Sequence, residues 1–191
     1  RRCGKSYLLK TLYRQYLKEQ GVKDKQILII ELDDDRFEEL RDKKALREYV
    51  EKKCPDDNIQ YYVIIDEVQI VENFEGTIIS LNNHANYDVY ITGSNSEFLS
   101  KDISTRFKDR GTEIRIHPLS YKEYFEVYEG DKHFALRDYL TFGGMPYLLN
   151  EPDEKEKINY LVSLINITYL TDVVERNNIR LPEELSNLFD L

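Results

Sequence analysis

Segments with strand character alternate with segments of helical periodicity over the first part of the chain, and only helical segments follow from about residue 117. That pattern predicts an α/β domain with a parallel sheet, followed by a small all-helical unit. Two short strings predict more. Gly4-Lys5-Ser6 leads directly into a helical stretch, and Val63-Ile64-Ile65-Asp66-Glu67 is an apolar run ending in two acids. The first is the tail of G-x-x-x-x-G-K-[ST], whose backbone N–H groups and lysine hold phosphates while its hydroxyl ligates a cation. The second reads as a buried strand that brings one carboxylate to the metal and another to the attacking water. Together they predict a P-loop NTPase core.

The elements follow in order. Ser6 to Gln20 carries Leu8, Leu9, Leu12, Tyr16 and Leu17 at helical spacing, with Gly21 as a stop. Gln26 to Leu32 is a continuous apolar run, hence a buried strand. Asp35 and Glu38 have capping-box spacing for a helix running to about Lys53. Tyr61 to Ile65 is the next strand, Val71 to His84 a helix, Asp88 to Thr92 a strand and Glu113 to Ile116 a last short strand. Beyond Pro118, helices are expected over Ser120 to Tyr128, His133 to Phe142, Asp153 to about Val174 and Pro182 to the end. Gly143-Gly144-Met145-Pro146 is the loop between two of them. The domain reading is 1–117 for the nucleotide-binding core and 118–191 for the helical unit. The first glycine of the loop motif and the strand feeding it would precede Arg1, so the core is expected to be N-terminally truncated, its first strand missing. In the order usual for such cores that strand lies centrally, and something is expected to fill its gap.

Composition bounds the partners. The 191 residues carry a net charge of −9, which argues against nucleic-acid binding by the segment as a whole, although Arg106, Lys108, Arg110 and Arg115 cluster locally. No run is long enough for a membrane span, and no secretory leader is read at the start, so the expected location is cytoplasmic. Cys3 and Cys54 lie far apart and indicate neither a disulfide framework nor a zinc site. His84, His117 and His133 lack partners at ligand spacing and read as structural. The fifteen tyrosines carry no function by themselves and read as core-edge residues.

The candidate chemistry is as follows. Cys3, Gly4, Lys5, Ser6 and Tyr7 form the nucleotide-binding segment, with Lys5 neutralising the β- and γ-phosphates. Cys3 is there as a tolerated small residue. Ser6 is a metal ligand, or the cap of the helix, roles that are compatible in space. Asp66 is the metal-side acid and Glu67 the base that polarises water, since successive strand residues point opposite ways. Thr92, Ser94 and Asn95 follow a strand end, where ligand crevices of open parallel sheets lie, and any of them could hold that water. Arg110 and Arg106 are candidates for stabilising the transferring phosphoryl group, in a ring or dimer on a neighbour's nucleotide.

Further strings carry a family resemblance. Gly4-Lys5-Ser6, Ile64-Ile65-Asp66-Glu67-Val68-Gln69, Ile91-Thr92-Gly93-Ser94, Arg110-Gly111-Thr112-Glu113-Ile114, Pro118-Leu119-Ser120-Tyr121-Lys122-Glu123-Tyr124, Phe142-Gly143-Gly144-Met145-Pro146 and Asp172-Val173-Val174-Glu175-Arg176-Asn177 cover nearly the whole chain. The set resembles the archaeal and bacterial AAA+ ATPases of the DExQ type. These normally continue into a C-terminal, nuclease-like domain of unknown function. The resemblance implies an ATP-hydrolysing core with a helical lid and Mg2+ as cofactor. It makes Lys5 and Ser6 Walker A, Asp66 and Glu67 Walker B, the segment from Thr92 to Asn95 sensor 1 and Arg176 a candidate second sensor. The family often has Gly-Arg where this chain has Asp109-Arg110. The expected function is Mg-ATP hydrolysis between core and lid, coupled to conformational change. The alternative is a nucleotide-dependent binding switch with little turnover, and a P-loop phosphotransferase ranks last because the lid is acidic and tyrosine-rich. The expected partners are ATP and a second copy or another protein, with nucleic acid reached only through a further domain.

Overall fold

The computed structural model describes residues 2–93, 107 and 110–166. They fall into two compact units, one from Gly4 to Arg115 and one from Ile116 onward together with the first residues of the chain.

The first unit is a three-stranded parallel sheet in the order β1-β2-β3, with β1 at Ile27–Glu31, β2 at Tyr61–Asp66 and β3 at Tyr87–Ile91. Among the described residues these three strands are contiguous. Side chains alternate across each strand. Ile30, Val63 and Ile65 enter one core with Leu46 and Val50 of helix α2 (Lys43–Lys53) and Ile78 and Leu81 of helix α3 (Phe74–Asn82). Ile30, Leu46, Val50, Val63, Ile65 and Leu81 are completely buried there, and each such side chain contributes roughly 1.5–3 kcal/mol. This face holds the sheet together. The opposite face presents the other parity, Glu31, Asp66, Asp88 and Tyr90 among them, to helix α1.

Helix α1 is one continuous run of three segments, α-helical Lys5–Tyr7, π-helical Leu8–Tyr13 and α-helical Arg14–Glu19. Its sheet-facing stripe is largely polar. Ser6 and Lys10 reach Asp66, Tyr13 meets the Tyr90 hydroxyl at 2.5 Å, and Leu17 is buried. Leu8, Leu12 and Tyr16, expected on the buried stripe, are exposed. A helix that must serve a carboxylate turns its polar groups inward at the expense of its apolar ones.

Three boundaries differ from expectation for local reasons. The box expected at Asp35 and Glu38 is not made: Asp34 accepts from the Arg36 N–H, a 3-10 segment spans Asp35–Arg41, and Asp42 then starts α2 by accepting from the N–H groups of Lys44 and Ala45. The helix expected from Val71 begins only at Phe74, after Asn73 adopts a left-handed conformation with φ of 54°. The segment from Glu113 to Ile116 forms no strand. The helix expected from Pro182 lies outside the described residues.

The second unit contains helices α4 (Tyr121–Val127), α5 (Ala135–Phe142), α6 (Pro146–Leu149) and α7 (Glu154–Leu164). Ser120 and Glu123 form a reciprocal capping box at the start of α4, and Asp153 caps α7. Two of the strings that carry the resemblance, Pro118 to Tyr124 and Phe142 to Pro146, meet here. Leu119 N–H donates to the Gly144 carbonyl at 2.7 Å, and the Tyr139 hydroxyl donates to the Leu119 carbonyl at 3.0 Å. Gly143 ends α5 at φ of 76°, a conformation that favours glycine. At Gly144 a Cβ would stand 2.0 Å from the Leu119 carbonyl oxygen. Pro146 then opens α6 at a position where no backbone donor is needed.

Gly144→Ala is therefore expected to break the Leu119 contact and destabilise the helical unit by about 1–3 kcal/mol. Chemical denaturation of the variant beside the parent measures it, and a change within a few tenths of a kcal/mol would show that the loop absorbs the methyl group.

Candidate functional site

Parallel strands end together, and the site is built where β1 and β2 end. The register pairs Glu31 with Asp66, and Thr92 follows β3 at the same level, its N–H donating to the Ile65 carbonyl at 2.9 Å. Chain parity turns all three side chains toward α1. Gly4 precedes that helix in the left-handed conformation, φ 90° and ψ 12°, and occupies the cap position. Ser6 is thus inside the first turn rather than its cap. Leu8 N–H donates to the Gly4 carbonyl at 2.8 Å, which leaves the N–H groups of the first turn without partners inside the helix. Lys5 and Ser6 are half-buried at this helix start, and Tyr7 is exposed.

Asp66 is the centre of the arrangement. It is 2% exposed. Its Oδ1 accepts from the Ser6 hydroxyl at 3.1 Å and from the Thr92 hydroxyl. Its Oδ2 lies 3.3 Å from Lys10 Nζ, which also hydrogen-bonds Glu31. Burial by itself would push the Asp66 carboxyl up; the Thr92 and Ser6 hydroxyls and the Lys10 charge outweigh it and hold the group below the usual carboxylate range. Burial likewise works against the Lys10 ammonium, and its bonds to Glu31 and Asp66 together with their charges raise it.

Glu67 leaves the strand. Its backbone is left-handed, φ 54° and ψ 44°, a conformation that costs a non-glycine residue of order 1 kcal/mol or more. The different directions of Asp66 and Glu67 come from this turn and not from strand alternation. The turn is secured from β3's end: Val68 N–H donates to the Thr92 carbonyl at 3.0 Å, and the Glu67 N–H lies 3.4 Å from the Thr92 hydroxyl. The Glu67 carboxylate accepts from the Gln69 side-chain amide, whose buried Oε1 has no hydrogen-bond partner among the described residues.

The predicted residues do not all converge. Cys3 is half-buried and directly precedes Gly4. Arg110 is exposed, and its carbonyl accepts from Asn82 at the end of α3 at 3.2 Å. The turn that follows α3 is at the beginning of the strands, since Tyr61 N–H donates to the Asn86 carbonyl at 2.8 Å. Arg110 is therefore anchored at the sheet edge opposite to Asp66. Ser94, Asn95, Arg106 and Arg176 lie outside the described residues. Lys10 and Glu31 are at the site without having been expected there, and Gln69, quoted only as part of the resemblance, bonds the Glu67 carboxylate. The signals were present: Lys10 is one turn after Ser6, Glu31 ends the strand beside Asp66's, and Gln69 closes the quoted Asp-Glu string.

The oxygen-rich donors Ser6 and Asp66 suit a hard cation such as Mg2+. A serine hydroxyl can offer a lone pair to a metal while its O–H still donates to Asp66, so the observed hydrogen bond fits metal binding. Among the described residues no group of three or more His, Cys, Asp or Glu side chains forms a separate metal site, and no helix is long and apolar enough to cross a membrane. Cys54 is a buried free thiol, pushed up to about 11 by burial, and its carbonyl accepts from the Tyr87 hydroxyl.

Residues 1–125 match the family described as AAA domain, and the chain belongs to that family, whose members are nucleotide-binding ATPase-type domains. It is 32% identical over 185 residues to an uncharacterized protein of Haemophilus influenzae, covering 94% of this chain and 46% of that protein. It is 28% identical over 204 aligned positions to an uncharacterized protein of Methanocaldococcus jannaschii, covering 98% of this chain and 43% of that protein. The chain thus spans less than half the length of these curated relatives. No solved structure matches it.

Asp66 supports stability only while ionised. Its folded carboxyl is held below the unfolded value, so the contribution is complete above about pH 4 and is lost as pH falls through the folded value. Asp66→Asn should be less stable than the parent at pH 7, and the gap should narrow below about pH 4. Urea unfolding of both proteins across that range checks this; a gap independent of pH would contradict it.

Proposed function

We propose that the chain is the Mg-ATP-hydrolysing part of its protein, with Gly4, Lys5, Ser6 and Tyr7 around the phosphates and Ser6 and Asp66 on the metal. The observation that carries this reading is the buried Asp66 carboxylate, joined through one oxygen to the hydroxyls of Ser6 and Thr92 beside the start of α1. The N–H groups of that first turn, which have no partners within the helix, and the Lys5 ammonium favour an anion at the same place. Mg2+ bound by Ser6 and Asp66 would neutralise charge on the β- and γ-phosphates.

In this reading Glu67 takes a proton from the attacking water. Thr92 fixes the Glu67 turn and acts as the sensor, a role supported by its bonds to the Glu67 N–H and the Asp66 carboxylate. Cys3 contributes no side chain. Arg110, anchored at the far edge of its own sheet, serves a neighbouring copy's phosphates. Residues 118–191 form the lid, and movement between it and the core couples hydrolysis to a partner. The finer family assignment, the DExQ type followed by a nuclease-like domain, is supported by Gln69 and by the relatives' additional length. Contact with nucleic acid belongs to that further domain, and the reading places the protein in the cytoplasm.

One observation favours the alternative, a nucleotide-dependent switch with little turnover: the Glu67 carboxylate is engaged by Gln69. ATP hydrolysis by the full-length protein, beside Glu67→Gln and Lys5→Ala, separates the two. Glu67→Gln is expected to lose at least about 100-fold in turnover while retaining nucleotide. Lys5→Ala is expected to lose nucleotide affinity roughly ten- to hundredfold. Tight nucleotide binding without turnover, unchanged by Glu67→Gln, would instead establish the switch.

A further inference from the structure

The register of β1 with β2 sets Glu31 beside Asp66 on the same face of the sheet. Like charges directly opposite each other on neighbouring strands repel, and Asp66 is almost completely withdrawn from water. Such a pair draws in a cation. The structure fills that position from within the chain. Lys10 Nζ lies 3.3 Å from Asp66 Oδ2 and hydrogen-bonds Glu31 Oε2. Its side chain is 26% exposed, so it is neither a free surface lysine nor a sealed core group.

One helix supplies both halves of the arrangement. Ser6 and Lys10 are one turn apart on α1, and they divide the Asp66 carboxylate between them, the hydroxyl on Oδ1 and the ammonium on Oδ2. Lys10 sits within the π-helical segment Leu8–Tyr13, and π-helical turns inside α-helices gather at functional sites. Lys10 is distinct from Lys5, the lysine of the phosphate motif.

We propose that Lys10 is the resident cation of the two strand-end carboxylates: it holds Asp66 by Oδ2 and Glu31 by Oε2, so that the site takes up no divalent cation alone and admits one only with nucleotide phosphates. Lys10 is then a positioning residue. It keeps Oδ1 turned toward Ser6 and Thr92, and it makes the metal arrive as a metal–nucleotide complex. The proposal rests on the reading of Asp66 as the metal-side acid, and its test uses neither ATP nor hydrolysis.

The test compares thermal midpoints of the nucleotide-free full-length protein, stripped with EDTA, in millimolar MgCl2 and in NaCl of equal ionic strength. The parent and Lys10→Arg should show no MgCl2-specific shift. Lys10→Met exposes the carboxylate pair and should rise by about 3 °C or more in MgCl2. Lys10→Met combined with Glu31→Gln should lose that rise. An ion pair with a merely structural role would lower the midpoint of Lys10→Met without making it respond to Mg2+. That result overturns the proposal. A second measurement reads the cation directly: Mn2+ titrated into the stripped parent should give no saturable binding by electron paramagnetic resonance beyond that of Asp66→Asn, and a saturable site present in the parent and lost in Asp66→Asn overturns the proposal whether or not Lys10→Met folds. Loss of ATPase activity in Glu67→Gln, or its absence in the parent, bears on the hydrolysis reading and leaves these readouts unchanged.

Discussion

Everything at the site depends on keeping one carboxylate ionised in a buried place. Asp66 is withdrawn from water at the end of a strand covered on both faces. An isolated charge there would neutralise instead of persisting. The chain keeps it charged with two hydroxyls on one oxygen and an ammonium on the other. Those donors come from α1 and from the residue after β3, so the same contacts that satisfy the charge also fix the helix and the third strand relative to β2. Structural and chemical roles coincide at this residue, and removing it would disturb both.

This explains the division of labour between the two faces of the sheet. One face is an ordinary apolar core, in which Ile30, Val63 and Ile65 pack against α2 and α3. It supplies stability that the other face cannot. The α1 face is free to be polar, with Lys10, Glu31, Ser6 and the hydroxyl pair of Tyr13 and Tyr90 arranged around a carboxylate. The Tyr90 hydroxyl also donates to Asp88 at 2.7 Å, and burial pushes it up. The strain at Glu67 belongs to the same design. A left-handed residue at the strand end turns the second acid out of the sheet while Thr92 and Gln69 secure it.

The helical unit illustrates a different constraint. Its two distinctive strings are far apart in sequence, yet they meet through a backbone hydrogen bond so close that only glycine fits at Gly144. The tyrosines of this unit are used as large rings with a polar end. Tyr139 packs against Tyr121 and Tyr124 with ring centres 5.4 and 5.3 Å apart while its hydroxyl serves the Leu119 carbonyl. For these three tyrosines the core-edge role expected from the sequence is met by packing.

The sequence by itself determined the α/β class, the three described strands, the helix after Gly4 and the pairing of a phosphate-type lysine with an Asp-Glu strand end. These are local signals: periodicity, apolar run length and short strings with fixed spacing. It could not determine which face of α1 is buried, because apolar periodicity pointed to Leu8, Leu12 and Tyr16, whereas the need of a buried charge for donors turned Ser6, Lys10 and Tyr13 inward. It could not show that Thr92 bonds Asp66, or find Lys10 and Glu31, or see that the Arg110 backbone is anchored at the far end of the strands. Each of those depends on strand register and on contacts between residues distant in the chain. Register decides which carboxylates stand side by side, and only the folded sheet contains it.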